Sequence, residues 1–405
     1  MWRLVGRVRP YAWGSRTGIA AIQGRPPSGT PEAELWYGAH PEDPSLVEGD
    51  GTLLELIDAD PVSRLGAATV ETYGPRLPFL LKLLAADQPL SLQVHPDLAQ
   101  AQAGFAAEEA AGVPRDAPDR NYVDPNHKPE LMVAVSECLA LCGFRPVADS
   151  AALLDRLAVS ALRPVVAALR QPDPGTALRE AVTTLFALPP DQVVADVRKA
   201  ATALDAPEYA VVTGLADRYP TDLGVVASLL LNLVRLRPGE AIYMPAGNPH
   251  AYLRGVGVEV MASSDNVLRA GLTPKHVDVP ELLRILRYEE LPDPRWPIEP
   301  VADGVRWWPT PMPDFRLAHA TVAGRRVELP GCHTPRIVFC LSGEVVASAT
   351  TGEPPPATSE EPGSGELPGG SKRLRLRGGE AAFVPAGSGA VLLDGAGEVF
   401  QAGTG

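Results

Sequence analysis

A mainly β fold carrying an inserted helical block is predicted by three features of the sequence. Glycine (38) and proline (43) make up a fifth of the 405 residues, which points to short strands and many turns rather than long helices. The stretch 235–247, RLRPGEAIYMPAG, recurs as 375–387, RLRGGEAAFVPAG. A repeat of this kind reads as a strand–turn–strand hairpin in two copies of one β architecture. Between these β-rich parts, 151–169, 176–186 and 192–204 place apolar residues at i, i+3 and i+4, the periodicity of amphipathic helices.

In chain order, residues 1–149 alternate short apolar runs with turn signals such as 11–14, 35–38 and Gly74-Pro75. Within them, the alanine-rich 98–111 reads as a helix. Residues 150–223 form the helical unit, with Pro207 and Pro220 punctuating its end. Strand and turn chemistry returns at 229–243, a helix is expected over 277–291, and short strands run from about 299 to the end. Three blocks follow: a discontinuous β domain (1–149 and 224–298), an inserted helical domain (150–223) and a C-terminal β domain (299–405). Within the last, 351–372 reads TGEPPPATSEEPGSGELPGGSK. It has one leucine, cannot bury enough apolar area to offset ordering, and is expected to be a flexible loop.

Composition excludes several function classes. A net charge of −13 argues against a nucleic-acid face or binding to an acidic membrane surface. No apolar run reaches the ~20 residues that span a bilayer, and the N-terminus lacks a signal-peptide pattern, so a cytoplasmic protein is expected. Cys138, Cys142, Cys332 and Cys340 show no zinc spacing, and a disulfide framework is not expected in a chain this long. Nothing calls for an obligate partner, and a monomer is expected.

Three segments concentrate polar groups. In 91–97, SLQVHPD, the side chains of Ser91, Gln93 and His95 fall at period two on one face of a strand, with Leu92 and Val94 on the other. An amide oxygen and an imidazole two residues apart suit a first-row metal; a solvated polar strand face is the plainer alternative. In 124–130, DPNHKPE, Glu130 opens an apolar strand after a proline-rich turn. Lys128 precedes it by two residues and His127 by three. In 244–252, MPAGNPHAY, a Pro-Gly turn delivers His250 to a strand start, with Tyr252 beyond it. Glu259 follows among valines, where a carboxylate is either paired or functional. A run with Asp265, Asn266, Arg269 and Lys275 comes next.

Together, Gln93, His95, Glu130 and His250 make a four-ligand nitrogen and oxygen set that suits one zinc ion. Lys82, Lys128, Arg269 and Lys275 bring positive charge to the same segments of an acidic chain, which implies an anionic substrate, most simply a phosphate. His40, His276, His319 and His333 lack such company.

At these residues the chain resembles the type I phosphomannose isomerase family. The resemblance covers Trp2 to about Leu291. It is carried by YAWGS at 11–15, AELWYGAH at 33–40, SLQVHPD at 91–97, NHKPE at 126–130, PAGNPHAY at 245–252 and SDNVLRAGLTPK at 264–275. It implies cupin-type (jelly-roll) β-barrels with an inserted helical domain, and zinc held by Gln93, His95, Glu130 and His250. It also implies reversible conversion of D-mannose 6-phosphate to D-fructose 6-phosphate through a cis-enediol(ate), feeding mannose and GDP-mannose metabolism, with Arg269 central to the site. Lys82, Ser91, Lys128, Tyr252, Asp265 and Lys275 are candidates for phosphate and hydroxyl contacts. Glu259, Lys128 and His127 are candidate bases, with Glu259 preferred. The competing readings are another metal-dependent cupin enzyme, such as an iron oxygenase, and a non-catalytic sugar-phosphate sensor.

Overall fold

The computed structural model describes residues 1–351 and 373–405. The loop expected at 351–372 lies, beyond its first residue, outside them. The chain is mainly β, with antiparallel sheets of ten and eleven strands among the described residues, together with helices. The backbone forms two compact units, Met1–Ala85 with Gly257–Ser263 and Trp296–Gly405, and Ala86–Val256 with Ser264–Arg295. They cut across the three blocks read from the sequence, because residues 1–85 group with the C-terminal strands. No helix among the described residues is long and apolar enough to cross a membrane.

In the first unit, two long strands anchor the ten-stranded sheet. Arg336–Thr351 pairs with Ser388–Gly403 from Arg336↔Gly403 to Thr351↔Ser388. The N-terminal strand Trp2–Val5 joins through Glu380–Val384, with Trp2 opposite Phe383. Apolar residues at period two fill one face, among them Val338, Cys340, Val345, Ala347, Val391 and Leu393, and Ile337, Phe339, Phe383 and Phe400 are buried on the other. Elsewhere in this unit, Arg7–Arg9, Glu34–Tyr37 and Phe79–Ala86 pair in order, which aligns Arg7, Trp36 and Lys82 in one row.

The second unit carries the helical block: Val147–Arg156, Arg163–Leu169, Pro174–Phe186, Pro190–Ala201 and Pro207–Arg218. The sequence reading took Pro207 as the close of the helical run. Instead Pro207 opens a further helix, because at the first position the missing N–H has no intrahelical partner to lose. The helix at Leu98–Ala110 starts at Asp97, whose side chain and that of Gln100 form a capping box. The helix expected over 277–291 is confined to Val279–Ile285, where Leu286 turns to an extended conformation.

The helices present apolar stripes, such as Val193, Val194, Val197 and Ala201, to a core shared with the strand residues Leu92, Val94, Leu141, Phe144 and Leu268. Those strands are Leu92–Val94, Cys138–Phe144 and Leu268–Gly271, and their other neighbours are His250–Ala262 and Leu231–Leu236. The chain leaves for the helical block after Phe144 and returns at Leu231, and these two residues are cross-strand partners.

The internal repeat has a structural counterpart, but not the expected hairpin. Its two strands follow one another without pairing: Leu231–Leu236 pairs with Cys138–Phe144, and Ala241–Met244 with Glu130–Ala134. In the second copy, Arg373–Arg377 and Glu380–Val384 both pair with Arg336–Thr351. What recurs is the turn. The carboxylate of Glu240 accepts the backbone N–H of Arg237 at 2.8 Å, and that of Glu380 accepts the N–H of Arg377 at 2.8 Å. Gly239 and Gly379 take φ of +88° and +79°, values that glycine adopts at little cost.

A candidate metal centre and an unpaired cationic cavity

His95, Glu130 and His250 converge in the second unit, with ligand atoms all within 4.8 Å of one another. Each is delivered by a strand or its flank. Glu130 begins Glu130–Ala134, His250 begins His250–Ala262, and His95 follows Leu92–Val94. Gln93 lies on the middle strand, directly opposite His250 on one side and Arg269 on the other. Side chains at opposed positions share a face, so one row carries three of the sequence-predicted residues.

The two imidazoles are held in the same way. Nδ1 of His95 lies 2.8 Å from the carbonyl oxygen of Asn266, and Nδ1 of His250 lies 3.0 Å from that of Asn248. A carbonyl only accepts, so both Nδ1 atoms carry a proton, and His95, kept neutral by burial, presents a lone pair at Nε2. The Nε2 atoms of His95 and His250 lie 3.2 and 3.3 Å from the Glu130 carboxylate, and Nε2 of His95 is buried without a hydrogen-bond partner. A neutral imidazole whose buried Nε2 lone pair faces a carboxylate is repelled by it unless a cation sits between them. Nitrogen and carboxylate donors, with the second nitrogen of each imidazole anchored on a carbonyl, therefore fit a zinc ion.

The electrostatics point the same way. Burial holds His95 down at about 4, helped by the Lys128 ammonium, so the ring is neutral and ready to coordinate. Burial alone would raise Glu130. The charge of Lys128, whose Nζ is 3.0 Å away, instead pushes it well below the ordinary carboxylate range. Both groups bind fewer protons folded than unfolded, so each adds stability that is present above its unfolded pKa and lost on acidification. Metal-free protein is expected to lose thermal stability as pH falls from about 6.5 to about 4. His95→Gln should flatten that dependence; melting curves across this range, with chelator present, check it.

Arg269 and Lys275 line a cavity of about 440 Å³ with Arg120, Asn121, Asp265 and His276. Neither has an ion-pair partner among the described residues, and burial lowers both pKa values, with Arg269 adding to the effect on Lys275. Two unpaired cations at one cavity mark an anion site. Arg269 is set by a close backbone approach two residues on. Gly271 has φ +121°, and a Cβ there would lie 2.4 Å from Asp222 Oδ1 and 2.7 Å from Gly224 Cα. Asp222 in turn accepts the N–H groups of Gly224 and Thr273. Gly271→Ala is expected to cost about 2–4 kcal/mol through backbone strain and the clash, read as a lower urea midpoint.

The remaining sequence-predicted residues are distributed as follows. Ser91 and His127 are half-buried beside Leu92–Val94 and Lys128 respectively. Tyr252 is buried, its ring 6.3 Å from that of His250. Asp265 lines the cavity. Lys82 and Glu259 belong to the first unit, where Lys82 Nζ stands 3.6 Å from Glu259 Oε2 and 3.7 Å from Glu34 Oε2. Glu259 in its apolar run thus has a cationic neighbour in Lys82.

Sequence reasoning named Asn266 in a polar run but missed its role as a support. Asn266 accepts the N–H of Val123 at 2.8 Å and donates to the carbonyls of Asp124 and Asn126, tying the segment that leads to Glu130 to the segment that anchors His95. Glu34, Trp36 and Asp222 were also missed. The only available signal was a polar residue, Asn266 or Glu34, directly preceding an apolar strand.

A protein-family model for phosphomannose isomerase type I, catalytic domain, matches residues 1–147. The mannose-6-phosphate isomerase of Escherichia coli (strain K12) is 38% identical over 409 residues, covering 98% of each chain. That of Schizosaccharomyces pombe is 32% identical over 394 residues, covering 87% of this chain and 91% of its own. A crystal structure of mannose 6-phosphate isomerase from Salmonella typhimurium bound to fructose 6-phosphate and zinc superposes with a TM-score of 0.87 at 36% identity, over 100% of this chain and 99% of that one.

Proposed function

The chain belongs to the type I phosphomannose isomerase family, and from that premise we propose that it is a zinc-dependent isomerase interconverting D-mannose 6-phosphate and D-fructose 6-phosphate. The observation that carries this reading is the row in which Gln93 stands between His250 and Arg269. It joins the candidate metal centre to an unpaired guanidinium on three neighbouring strands. Gln93, His95, Glu130 and His250 are the proposed ligands of one zinc ion per chain. Bound there, zinc would act as a Lewis acid toward the substrate's carbonyl and hydroxyl oxygens.

The chain's own groups do the rest. Arg269 and Lys275 take the charge of an anionic substrate, with Asp265, Ser91 and Tyr252 contacting hydroxyls and Lys82 a further cationic contact. A base removes the proton from C2 of the aldose and returns it to C1, while a hydroxyl proton moves between the two oxygens, so the cis-enediol(ate) collapses to the ketose. Arg269 offsets the negative charge that develops on oxygen. Glu259 is the preferred base. Lys128 stands 3.0 Å from the proposed ligand Glu130, and it and His127 are the alternatives.

The same reading takes the sheets as cupin-type barrels with the helical block as an inserted domain, in a cytoplasmic monomer of mannose metabolism. The test is a coupled assay of mannose 6-phosphate conversion before and after chelation. Activity is expected to vanish with chelator and return with zinc; a folded, zinc-loaded sample with no turnover would overturn the isomerase.

A further inference from the structure

We propose that Glu34 is a positioning residue for the isomerisation, holding the Lys82 ammonium against Glu259 through a carboxylate that the Trp36 indole fixes in place. The inference deepens the function proposed above and rests on Lys82 and Glu259 belonging to the reacting site.

Glu34, Lys82 and Glu259 are buried, at 7%, 6% and 2% exposure. Trp36 Nε1 donates to Glu34 Oε2 at 2.5 Å, and the same oxygen lies 3.7 Å from Lys82 Nζ. Glu259 Oε2 approaches that ammonium at 3.6 Å. Trp36 and Lys82 are cross-strand partners, and the ammonium lies 4.9 Å from the indole centroid. The ammonium is thus bracketed by two carboxylates and an aromatic ring. One carboxylate suffices to neutralise a lysine. The second, oriented by an indole N–H, fixes where the flexible four-carbon stem puts its charge. Glu34 has no place in the metal centre or the cationic cavity.

Other charges close to Glu34 belong to the same sheet. Arg9 is its cross-strand partner, stacks at 4.8 Å on Trp36 and donates to Asp43. Arg7 pairs with Asp43 as well, and the His40 ring meets Trp36 edge-on at 5.1 Å. Arg9 and Arg7 share Asp43, so Lys82 and Glu259 are the groups that feel Glu34 most directly.

The sign is fixed by charge. Removing the negative charge at position 34 destabilises the Lys82 cation and relieves repulsion on the Glu259 carboxylate, so the pKa of each falls. In Glu34→Gln, both limbs of the kcat/KM–pH profile are expected to move toward lower pH, by about one unit. Trp36→Phe keeps every charge and loses the donor. It should lower kcat several-fold with KM little changed and both limbs in place. Glu34→Asp, which keeps the charge but shortens the reach, should behave like Trp36→Phe, and it serves if Glu34→Gln does not fold.

Lys82→Ala and Glu259→Gln separate the two levels. If both keep wild-type turnover, Lys82 and Glu259 are not site residues, and the assignment beneath the inference fails. If both lose activity while Glu34→Gln keeps the wild-type limbs, or Glu34→Asp keeps the wild-type kcat, the positioning role alone is overturned.

Discussion

Glu130→Gln is expected to abolish turnover, lowering kcat/KM by at least ~10³, the scale of losing a group that acts only as part of a metal site. Glutamine preserves shape but removes the one anion among the candidate ligands. The Lys128 ammonium, 3.0 Å from Glu130 Oε1 and 7% exposed, would lose its partner in a buried setting. Breaking a buried pair from one side costs about 3–5 kcal/mol, so the variant should also melt earlier. Bound zinc, measured by elemental analysis after gel filtration, should drop well below one per chain. A variant that kept stoichiometric zinc and wild-type rates would remove Glu130 from the ligand set.

Arg269→Met is expected to lower kcat/KM by about 10²–10³, in the range seen when a preorganised charge that stabilises a developing oxyanion is removed. The guanidinium is half-buried, has no ion-pair partner among the described residues and shares its cavity with Lys275. An unpaired, partly desolvated cation is costly to maintain, which fits a group kept ready for an anion. Arg269→Lys keeps the charge but not the planar donor fork. It should restore KM for the phosphosugar more than kcat. If Arg269→Met instead changed KM alone, the residue would bind substrate without favouring the transition state.

His95, Glu130 and His250, which converge in the structure, were legible in the sequence because their placement follows local rules. Period-two alternation over 91–95 placed Gln93 and His95 on one side, and turn prolines marked where Glu130 and His250 enter their strands. The helical block was legible by its 3.6-residue spacing. Its last helix was not, because a proline at the start of a helix and a proline that ends one look alike without the hydrogen-bond ladder. The supports were illegible for a different reason. Asn266 acts across 143 positions on Val123, and Lys82 meets Glu34 and Glu259 through pairings set by sheet register. Such contacts depend on which strands become neighbours, and no local pattern encodes that. The repeat shows the same limit: its turn chemistry was readable, while the partners of its strands were not.

Phe144 and Leu231 face each other across two neighbouring strands although the entire helical block is threaded between them. During synthesis Gln93, His95 and Glu130 leave the ribosome long before His250, with that block still to come. The nascent chain therefore carries three of the four candidate ligands until the helices have emerged. Closing a longer connection costs little, about 0.6 kcal/mol for each doubling of its length. Helices that form locally as they emerge shorten the gap further, so the block sets when His250 can join the other candidate ligands.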